Sequence, residues 1–582
     1  MLKLPSLKTL TYGLQQVIQR FPLVVTVAAL KASALLFLFE YPQTHPQYDL
    51  VIRLTLLTFL ALPLTLSLHL VAERRRWNAL LLTAGAAGIL LLLTLYFLTL
   101  APDPIQRDYY RFGMFMACAH LLVSFAPFVG YNEPNGFWQF NKLMLMQLVT
   151  ATLYAGTLYL GLIIAIETVK FLFDISFPFR IEADLLVLTI GFFHTLFFLN
   201  GFPLHLDILE GQSSYSRGVK VFTQYVLLPL VVVYLGILYL YIGKILVQWQ
   251  LPEGGVAYLV MAFSVAGILA LLLVYPLRES AGERWVLLFT RRFYLALFPL
   301  IILLWAGIYR RIQDYGITEN RYLVAALAVW LAGISLYFLF SRKDDIRWIP
   351  LSLCVISFLL AVGPWSIFSV SRRAQASRFE QLLAEYKLLN SNRQLSGGAT
   401  LSAQDYDQLV SGIRYFRSRR ESDELRPYFT TLPQTDDSQA LANAMEKQLS
   451  KVVQVTAETR SPDASLSYSL AGSDQGIEVP VRSFDFLWTL DFYGDRTMER
   501  GDWRIESSDQ GARLSVFRNG TRLVTWEIAA RLSELDSRYG SSAYELPPAT
   551  LTFEHPQARL VLRSASWNGT KYSYQGVFMR KE

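Results

Sequence analysis

Residues 348–379 read WIPLSLCVISFLLAVGPWSIFSVSRRAQASRF. The first two thirds of this stretch suits hydrocarbon. The last third, with Arg372, Arg373 and Arg378, suits water or a headgroup layer. The chain changes solvent here. Upstream, apolar blocks long enough to cross a bilayer recur about eleven times. Downstream, roughly two hundred residues carry the mixed patterns of a domain folded in water. The expected fold class is an α-helical polytopic membrane domain of about eleven transmembrane helices. A soluble α+β domain with an antiparallel, β-sandwich-like sheet follows it.

Working back from that boundary, the blocks fall near 21–39, 50–72, 79–100, 112–130, 143–168, 184–203, 221–248, 256–276, 293–309, 322–340 and 348–370. Residues 1–20 hold Lys3, Lys8 and Arg20 between apolar residues and read as an interfacial helix. No small-residue cleavage site follows the first block, so it reads as a retained anchor. The expected domains are 1–20 as that helix, 21–370 as the membrane domain, 371–455 as a helical connector and 456–582 as the β-rich domain.

Composition agrees. Hydrophobic residues make up 53% of the 582 and charged residues only 17%. The net charge of +7 is scattered through short loops, which argues for topology signals and against nucleic-acid binding. Arg74, Arg75 and Arg76, Arg278, Arg284, Arg291 and Arg292, and Arg342, Lys343 and Arg347 all fall on the N-terminal side if eleven spans hold. The positive-inside rule then places the N-terminus in the cytoplasm of a bacterial inner membrane and the C-terminal domain outside it. Arg310, Arg311 and Arg321 run against that assignment. Trp77, Trp138, Trp249, Trp348 and Trp365 fall near span ends, as an aromatic belt requires. Both cysteines, Cys118 and Cys354, sit inside apolar blocks, so disulfides play no part in the tail.

Between the fourth and fifth blocks, turn formers at Gly130–Pro134 lead into an aromatic, amphipathic run ending at Lys142. That pattern predicts a short helix lying at the cytoplasmic interface. In the tail, Ser402 with Asp405 three residues on is a capping-box pattern before Tyr406, Leu409, Val410 and Ile413. A further helix is expected over 437–453. Phe484, Phe486, Trp488, Leu490 and Phe492 alternate strictly, as one buried sheet face demands. Asn519-Gly520 and Asn568-Gly569 each separate strand-like runs and predict hairpins with positive φ at both central positions. About eight antiparallel strands are expected from 463 onward.

Three stretches carry a family resemblance. They are Glu133-Pro134-Asn135-Gly136-Phe137-Trp138-Gln139-Phe140-Asn141, then Gly363–Ser371 with Arg373, Gln375, Arg378 and Phe379 following, and the helix around Ala403–Phe416. In these the chain resembles the bacterial domain-of-unknown-function 4153 family. The resemblance implies a multi-span membrane protein with a C-terminal module, and implies no activity.

Polar residues inside apolar blocks mark candidate sites, because hydrocarbon makes them costly. Lys31, His120 and His194 fall near block centres, Gln147 and Asn200 nearer the cytoplasmic side, and Glu167 at an outer end. They read either as a polar chamber or as interhelical hydrogen bonds that fix packing. Glu133, Asn135, Trp138 and Asn141 are the polar and anchoring members of the interfacial motif. Glu167, Lys170, Asp174, Arg180, Glu182 and Asp184 crowd one outer loop, beside the Phe171–Phe173 and Phe177–Phe179 aromatics. The loop reads as paired surface charge or as the mouth of a substrate path. Arg372, Arg373 and Arg378 read as contacts to lipid phosphates or as a boundary marker. Asp344 and Asp345 read as a solvated ion-pair cluster with Lys343 and Arg347. Asp485, Asp491, Asp495, Glu499 and Asp502 read first as a solvated strand edge, since they lack the spacing of a calcium loop, and otherwise as a cation site or paired carboxylates.

No phosphate-binding loop, paired-histidine zinc motif, Cys-x-x-Cys or nucleophile elbow occurs, so no cofactor, metal or catalytic residue is expected. The expected partners are the lipid bilayer and an envelope protein reached through the C-terminal domain. Three functions remain open: an envelope sensing or scaffolding protein, a transporter of a small or lipidic solute, and a membrane-embedded lipid-linked transferase.

Overall fold

The computed structural model describes residues 7–175, 177–178, 180–212, 215, 217–248, 256–279, 284–341, 345–435, 437–455, 466–470, 484–539 and 542–581. Lys3, Phe179, Trp249, Arg342, Lys343 and Asp344, named above, lie outside them. The chain divides into two compact units, Met1–Arg378 and Phe379–Glu582.

Every regular element among the described residues of the first unit is a helix. Helix α1 covers Leu7–Arg20, α2 Pro22–Glu40, α3 Tyr48–Arg74, α4 Ala79–Thr99, α5 Gln106–Phe125 and α6 Pro134–Phe173. The next rod joins α7 (Arg180–Leu186) through a π-helical Val187–Phe193 to α8 (His194–Asn200). Another joins α9 (Arg217–Phe222) through a π-helical Thr223–Leu227 to α10 (Leu228–Gln248). Then come α11 (Val256–Leu273), α12 (Arg284–Tyr315), α13 (Glu319–Phe340), α14 (Trp348–Ala361) and α15 (Ile367–Glu385). Among the described residues nine helical segments are long and apolar enough to cross a membrane. Two shorter apolar helices, Ala257–Leu273 and Trp348–Ala361, account for the remaining blocks.

Two expectations need correction. The run after Gly130 is not a separate interfacial helix. It is the first three turns of α6, a single 40-residue helix of roughly 60 Å at 1.5 Å per residue. Residues 348–370 are not one span. Helix α14 stops after 14 residues, and α15 begins at Ile367. Gly363 takes φ +81° at the break, a region that favours glycine, and Pro364 removes a helix donor.

Apolarity does not sort inside from outside in lipid, so small and polar residues do. Helix α3 buries Thr55, Ala61, Pro63, Thr65, Ser67, His69 and Ala72. Its hydroxyls bond carbonyls one turn back, Thr55 to Val51 and Thr65 to Ala61, each at 2.7 Å. Helix α4, rich in leucine, leaves Leu80, Leu90, Leu92, Leu95 and Leu98 exposed. It buries only Tyr96. The first is a central helix and the second a lipid-facing one.

The second unit starts with the end of α15, then α16 (Ala403–Arg417) and α17 (Ser438–Val452). The Ser402 cap is present, with its Oγ accepting from the Asp405 N–H. Leu409, Ile413, Leu441, Met445 and Leu449 are buried at helical spacing beside Phe379 and Leu383. Strands β1 (Ala399–Leu401) and β2 (Val453–Val455) pair in parallel.

Then follow β3 (Leu466–Leu470), β4 (Phe486–Tyr493), β5 (Arg496–Arg500), β6 (Trp503–Ser508), β7 (Arg513–Arg518), β8 (Thr521–Glu527), α18 (Ile528–Tyr539), β9 (Ser542–Leu546), β10 (Thr552–His555), β11 (Ala558–Trp567) and β12 (Tyr572–Arg580). One sheet has the order β4-β12-β11-β3-β9, with β10 also on β11. A second is the meander β5-β6-β7-β8. All pairings in both are antiparallel except β3 with β9.

The sheets share a core. Trp503 of β6 meets Phe578 of β12 edge-on, with ring centres 6.0 Å apart. The buried Tyr574 hydroxyl donates to Ser507 Oγ at 2.8 Å, which donates to the Gly494 carbonyl at 2.9 Å. Loss of water drives the Tyr574 phenol up to about 12. In β4, Trp488, Leu490 and Phe492 are buried, while Phe486 at the strand's start is 43% exposed.

The two Asn-Gly pairs behave differently. Asn519 and Gly520 take φ +50° and +76° in a two-residue turn between Arg518 and Thr521. Asn568-Gly569 instead begins a four-residue loop between Trp567 and Tyr572. Its Asn568 Oδ1 accepts from the Thr570 and Lys571 N–H groups and the Thr570 hydroxyl. This is an Asx-type turn rather than the expected positive-φ pair.

Candidate functional site

A dense polar arrangement surrounds the start of α6. The helix begins at Pro134, whose missing N–H costs nothing at a first position. The first-turn N–H groups still need partners. Gly136 N–H donates to Glu210 Oε2 at 2.5 Å, placing a carboxylate at the positive end of the helix. A Cβ on Gly136 would meet the Glu210 backbone nitrogen at 3.2 Å, which is why glycine stands there.

The same turns grip the segment after α8. Asn135 Nδ2 donates to the Glu210 and Gln212 carbonyls, each at 2.8 Å. Gln139, one turn on, donates to Gln212 at 3.1 Å. Trp138 Nε1 donates to the Leu272 carbonyl at the end of α11, at 2.6 Å. Its ring stacks on Tyr215, whose hydroxyl donates to Leu273. Asn141 accepts from Ser124 Oγ at 2.6 Å, tying in α5.

Arginines close the junction. Arg74, at the end of α3, pairs with the Glu133 carboxylate and lies over the Tyr131 ring. Arg347 donates to the Tyr131 carbonyl and pairs with Asp345. Arg20, at the end of α1, holds Glu73 through two 2.8 Å bonds and donates to the Phe202 and Pro203 carbonyls. Bidentate pairing of this kind fixes geometry as well as charge. Sequence reasoning singled out Glu133, Asn135, Trp138 and Asn141 but missed Arg20, Glu73, Glu210, Gln212 and Tyr215. Their spacing in the chain gives no signal, because the contacts join residues 53 to 183 positions apart.

The structure brings some of the candidate intramembrane polar residues near one another and separates others. Lys31 is 8% exposed, with its ammonium 5.2 Å from the Phe59 ring centre. It lies near enough to His194 to interact electrostatically. His194 Nε2 meets Thr152 Oγ1 of α6 at 3.1 Å. His120 points elsewhere: it is exposed, and its Nδ1 meets the Met116 carbonyl of its own helix at 2.8 Å. Gln147 donates to the Phe197 carbonyl at 2.8 Å, locking α6 to α8. Asn200 lies against Gly13 of α1. His69, passed over in the sequence, is 5% exposed and stands edge-on to Phe21. Its Nε2 is buried with no hydrogen-bond partner among the described residues.

At the opposite ends of α2 and α6 the charged residues pair. Lys170 bridges Glu167 at 2.5 Å and Glu182 at 3.1 Å. Arg180 joins Glu40 and Asp184. Below α14, Arg373 donates to the Ser369 and Pro364 carbonyls while staying exposed. Arg378 donates to the Gln313 carbonyl at 3.1 Å. Among the described residues no group of three or more His, Cys, Asp or Glu is placed to hold a metal ion.

Uncharacterized protein PM1469 of Pasteurella multocida (strain Pm70) is 27% identical over 436 residues, covering 73% of this chain and 70% of that protein. No solved structure matches. A family model described as Domain of unknown function (DUF4153) matches residues 19–405, from the end of α1 into α16. The chain belongs to that family.

Proposed function

We propose that the protein is an envelope sensing or scaffolding protein of the bacterial inner membrane. Its N-terminus lies in the cytoplasm, and its C-terminal unit meets a protein partner outside. One observation carries the reading. Strand β4 is an edge of its sheet among the described residues. It presents Leu487 at 49% and Tyr493 at 55% exposure along its outward face. An edge strand with large exposed side chains suits pairing with an added strand, which would replace the bond that the Asp491 carbonyl now accepts from Arg496. The junction around α6 supports an anchoring role for the helices, since its polar groups are spent on carbonyls and carboxylates that fix packing.

The test is photocrosslinking in cells from positions 487 and 493, with Arg522 on the other sheet as control. One shared adduct from 487 and 493 is expected, lost in Leu487→Lys with the phenotype of deleting 379–582. No adduct, or a tail digested in inverted vesicles but not in spheroplasts, would reject the reading.

A second reading, transport of a small or lipidic solute, draws on the buried Lys31, whose charge reaches His194. Mid-membrane ionisable residues of this kind mark pathways. Proteoliposome uptake that survives Lys31→Ala with His194→Ala would count against it.

A further inference from the structure

A pocket of about 170 Å³ lies in the helical unit where the end of α12 turns into the start of α13, beside the first turn of α11. Apolar residues of the three helices form one part of its wall. Tyr258, Arg311, Thr318, Asn320 and Arg321 form the rest. Among the described residues two guanidinium groups line it and no carboxylate does.

The two arginines differ. Arg321 donates to the Gly316 carbonyl at 2.7 Å and has a further partner. Arg311 is half-buried, with no hydrogen bond or ion pair among the described residues. Thr318, just before α13, does not use its side chain to cap that helix. Asn320 is exposed. The buried Glu319 between them is already engaged. A cation partly withdrawn from water is costly unless an anion or an acceptor meets it, and here the protein supplies neither to Arg311.

Two further observations bear on the pocket. Arg310, Arg311 and Arg321 run against the orientation that the other basic loops give, so orientation does not account for them. Tyr258, Trp305 and Tyr309 are exposed on the same ends of α11 and α12. Aromatic side chains at span ends suit the headgroup layer, where phosphate is abundant.

We propose that this pocket binds a phosphate group through Arg311. The guanidinium fork matches phosphate oxygens in shape and charge. Donors come from two helices, with Arg311 on α12 and Thr318 and Asn320 at the start of α13. An anion with three or more oxygens uses more of them than a carboxylate can. The pocket is below the roughly 300 Å³ of drug-sized sites, yet several times the roughly 30 Å³ share of one water. Both a phospholipid and inorganic phosphate carry the group. The site is separate from the α6 junction and does not depend on the function proposed for the β4 edge.

The test is isothermal titration of the full chain in a maltoside detergent. The titrants are inorganic phosphate, dioctanoyl phosphatidylglycerol, and dioctanoylglycerol and acetate as controls. At least one phosphate-bearing titrant is expected to bind, and neither control. Binding of phosphatidylglycerol alone assigns the phosphate to a lipid; binding of inorganic phosphate as well assigns it to a soluble anion. Affinity should fall roughly ten-fold in Arg311→Gln, as loss of a charge-assisted bond predicts. It should hold in Arg310→Gln, which lies outside the pocket lining. No binding by either phosphate titrant, equal binding of a control, or equal loss in both variants would overturn the proposal. A second measurement needs no variant. Phenylglyoxal should modify Arg311 in the unaltered protein, and the bound titrant should protect it while Arg310 stays reactive. Modification of Arg311 at the same rate with the titrant present would overturn the proposal as well.

Discussion

Glu210 puts its carboxylate on the backbone of Gly136, with Oε2 2.5 Å from the nitrogen, at the N-terminus of the longest helix among the described residues. A charge there offsets the unpaired first-turn N–H groups and the helix dipole together. The contact also leaves no room, since a Cβ on Gly136 would lie 3.2 Å from the Glu210 nitrogen. Backbone cannot swing away as a side chain can. Gly136→Ala is therefore expected to destabilise the detergent-purified protein by about 1–3 kcal/mol. Glu210→Gln, which keeps the shape and loses the charge, should cost about 1 kcal/mol. Thermal unfolding of both variants checks the order. A Glu210→Gln variant worse than Gly136→Ala would mean that charge rather than fit holds the junction.

The α6–α8 packing makes a sharper prediction. A Cβ on Gly201 would fall 2.0 Å from Gln147 Cδ, and Gln147 is bonded to the Phe197 carbonyl at 2.8 Å. Gly201→Ala must expel that side chain and break its bond. Adding Gln147→Ala removes the obstacle. The pair should recover much of the stability lost by Gly201→Ala alone, an interaction energy of about 1 kcal/mol or more in a double-mutant cycle. Strict additivity would show that the two residues do not meet.

Cys118 of α5 and Cys354 of α14 face each other. Each Sγ lies on the other's carbonyl, at 3.4 and 3.6 Å. A membrane-permeant oxidant is expected to join them in the intact protein, read as loss of two labelling sites under denaturing conditions. Reductant should restore both. Continued labelling of both thiols after oxidation would show that the α5–α14 register differs.

The β domain offers a contrast between two turns of the same dipeptide. Gly520 takes φ +76°, so Gly520→Ala adds strain of about 1 kcal/mol. At the other turn Asn568 works through its side chain, which accepts three hydrogen bonds. Asn568→Ala should cost about as much, while Asn568→Asp should be nearly neutral because it keeps the acceptor. Pulse proteolysis of the full chain reads all three.

The difference between those turns shows where the sequence stops being legible. Dipeptide chemistry located both hairpins, but loop length depends on strand register, which is set by the partner strands. The apolar blocks were readable because the bilayer imposes length on them. The continuity of α6 was not. Asn135 and Gln139 look like interfacial residues until Glu210 and Gln212 satisfy them. The break after α14 was present in Gly363-Pro364, and apolar neighbours on both sides masked it. The direction of a side chain around a helix was least legible of all. Lys31 is buried and His120 is exposed, yet in an all-apolar block both read alike.

Glu446 of α17 gives the last prediction, one of pH. Its carboxyl is partly buried, 3.7 Å from Arg414 Nε of α16. Burial pushes it above the ordinary carboxylate range, against the pull of Arg414 and Arg417. A raised value means that the folded state holds this proton more firmly than the unfolded chain does. The associated stability is complete below the ordinary glutamate value, about 4.3. It is lost as pH rises through the folded value. At pH 7 the charged, half-desolvated carboxylate is a net burden. Glu446→Gln keeps the size and removes the charge, at the cost of its attraction to Arg414. The variant should resist proteolysis of the C-terminal unit better than the parent at pH 7, with the advantage gone by about pH 4. An equal loss at both pH values would show that the Arg414 pairing outweighs burial, and that the carboxylate is held charged.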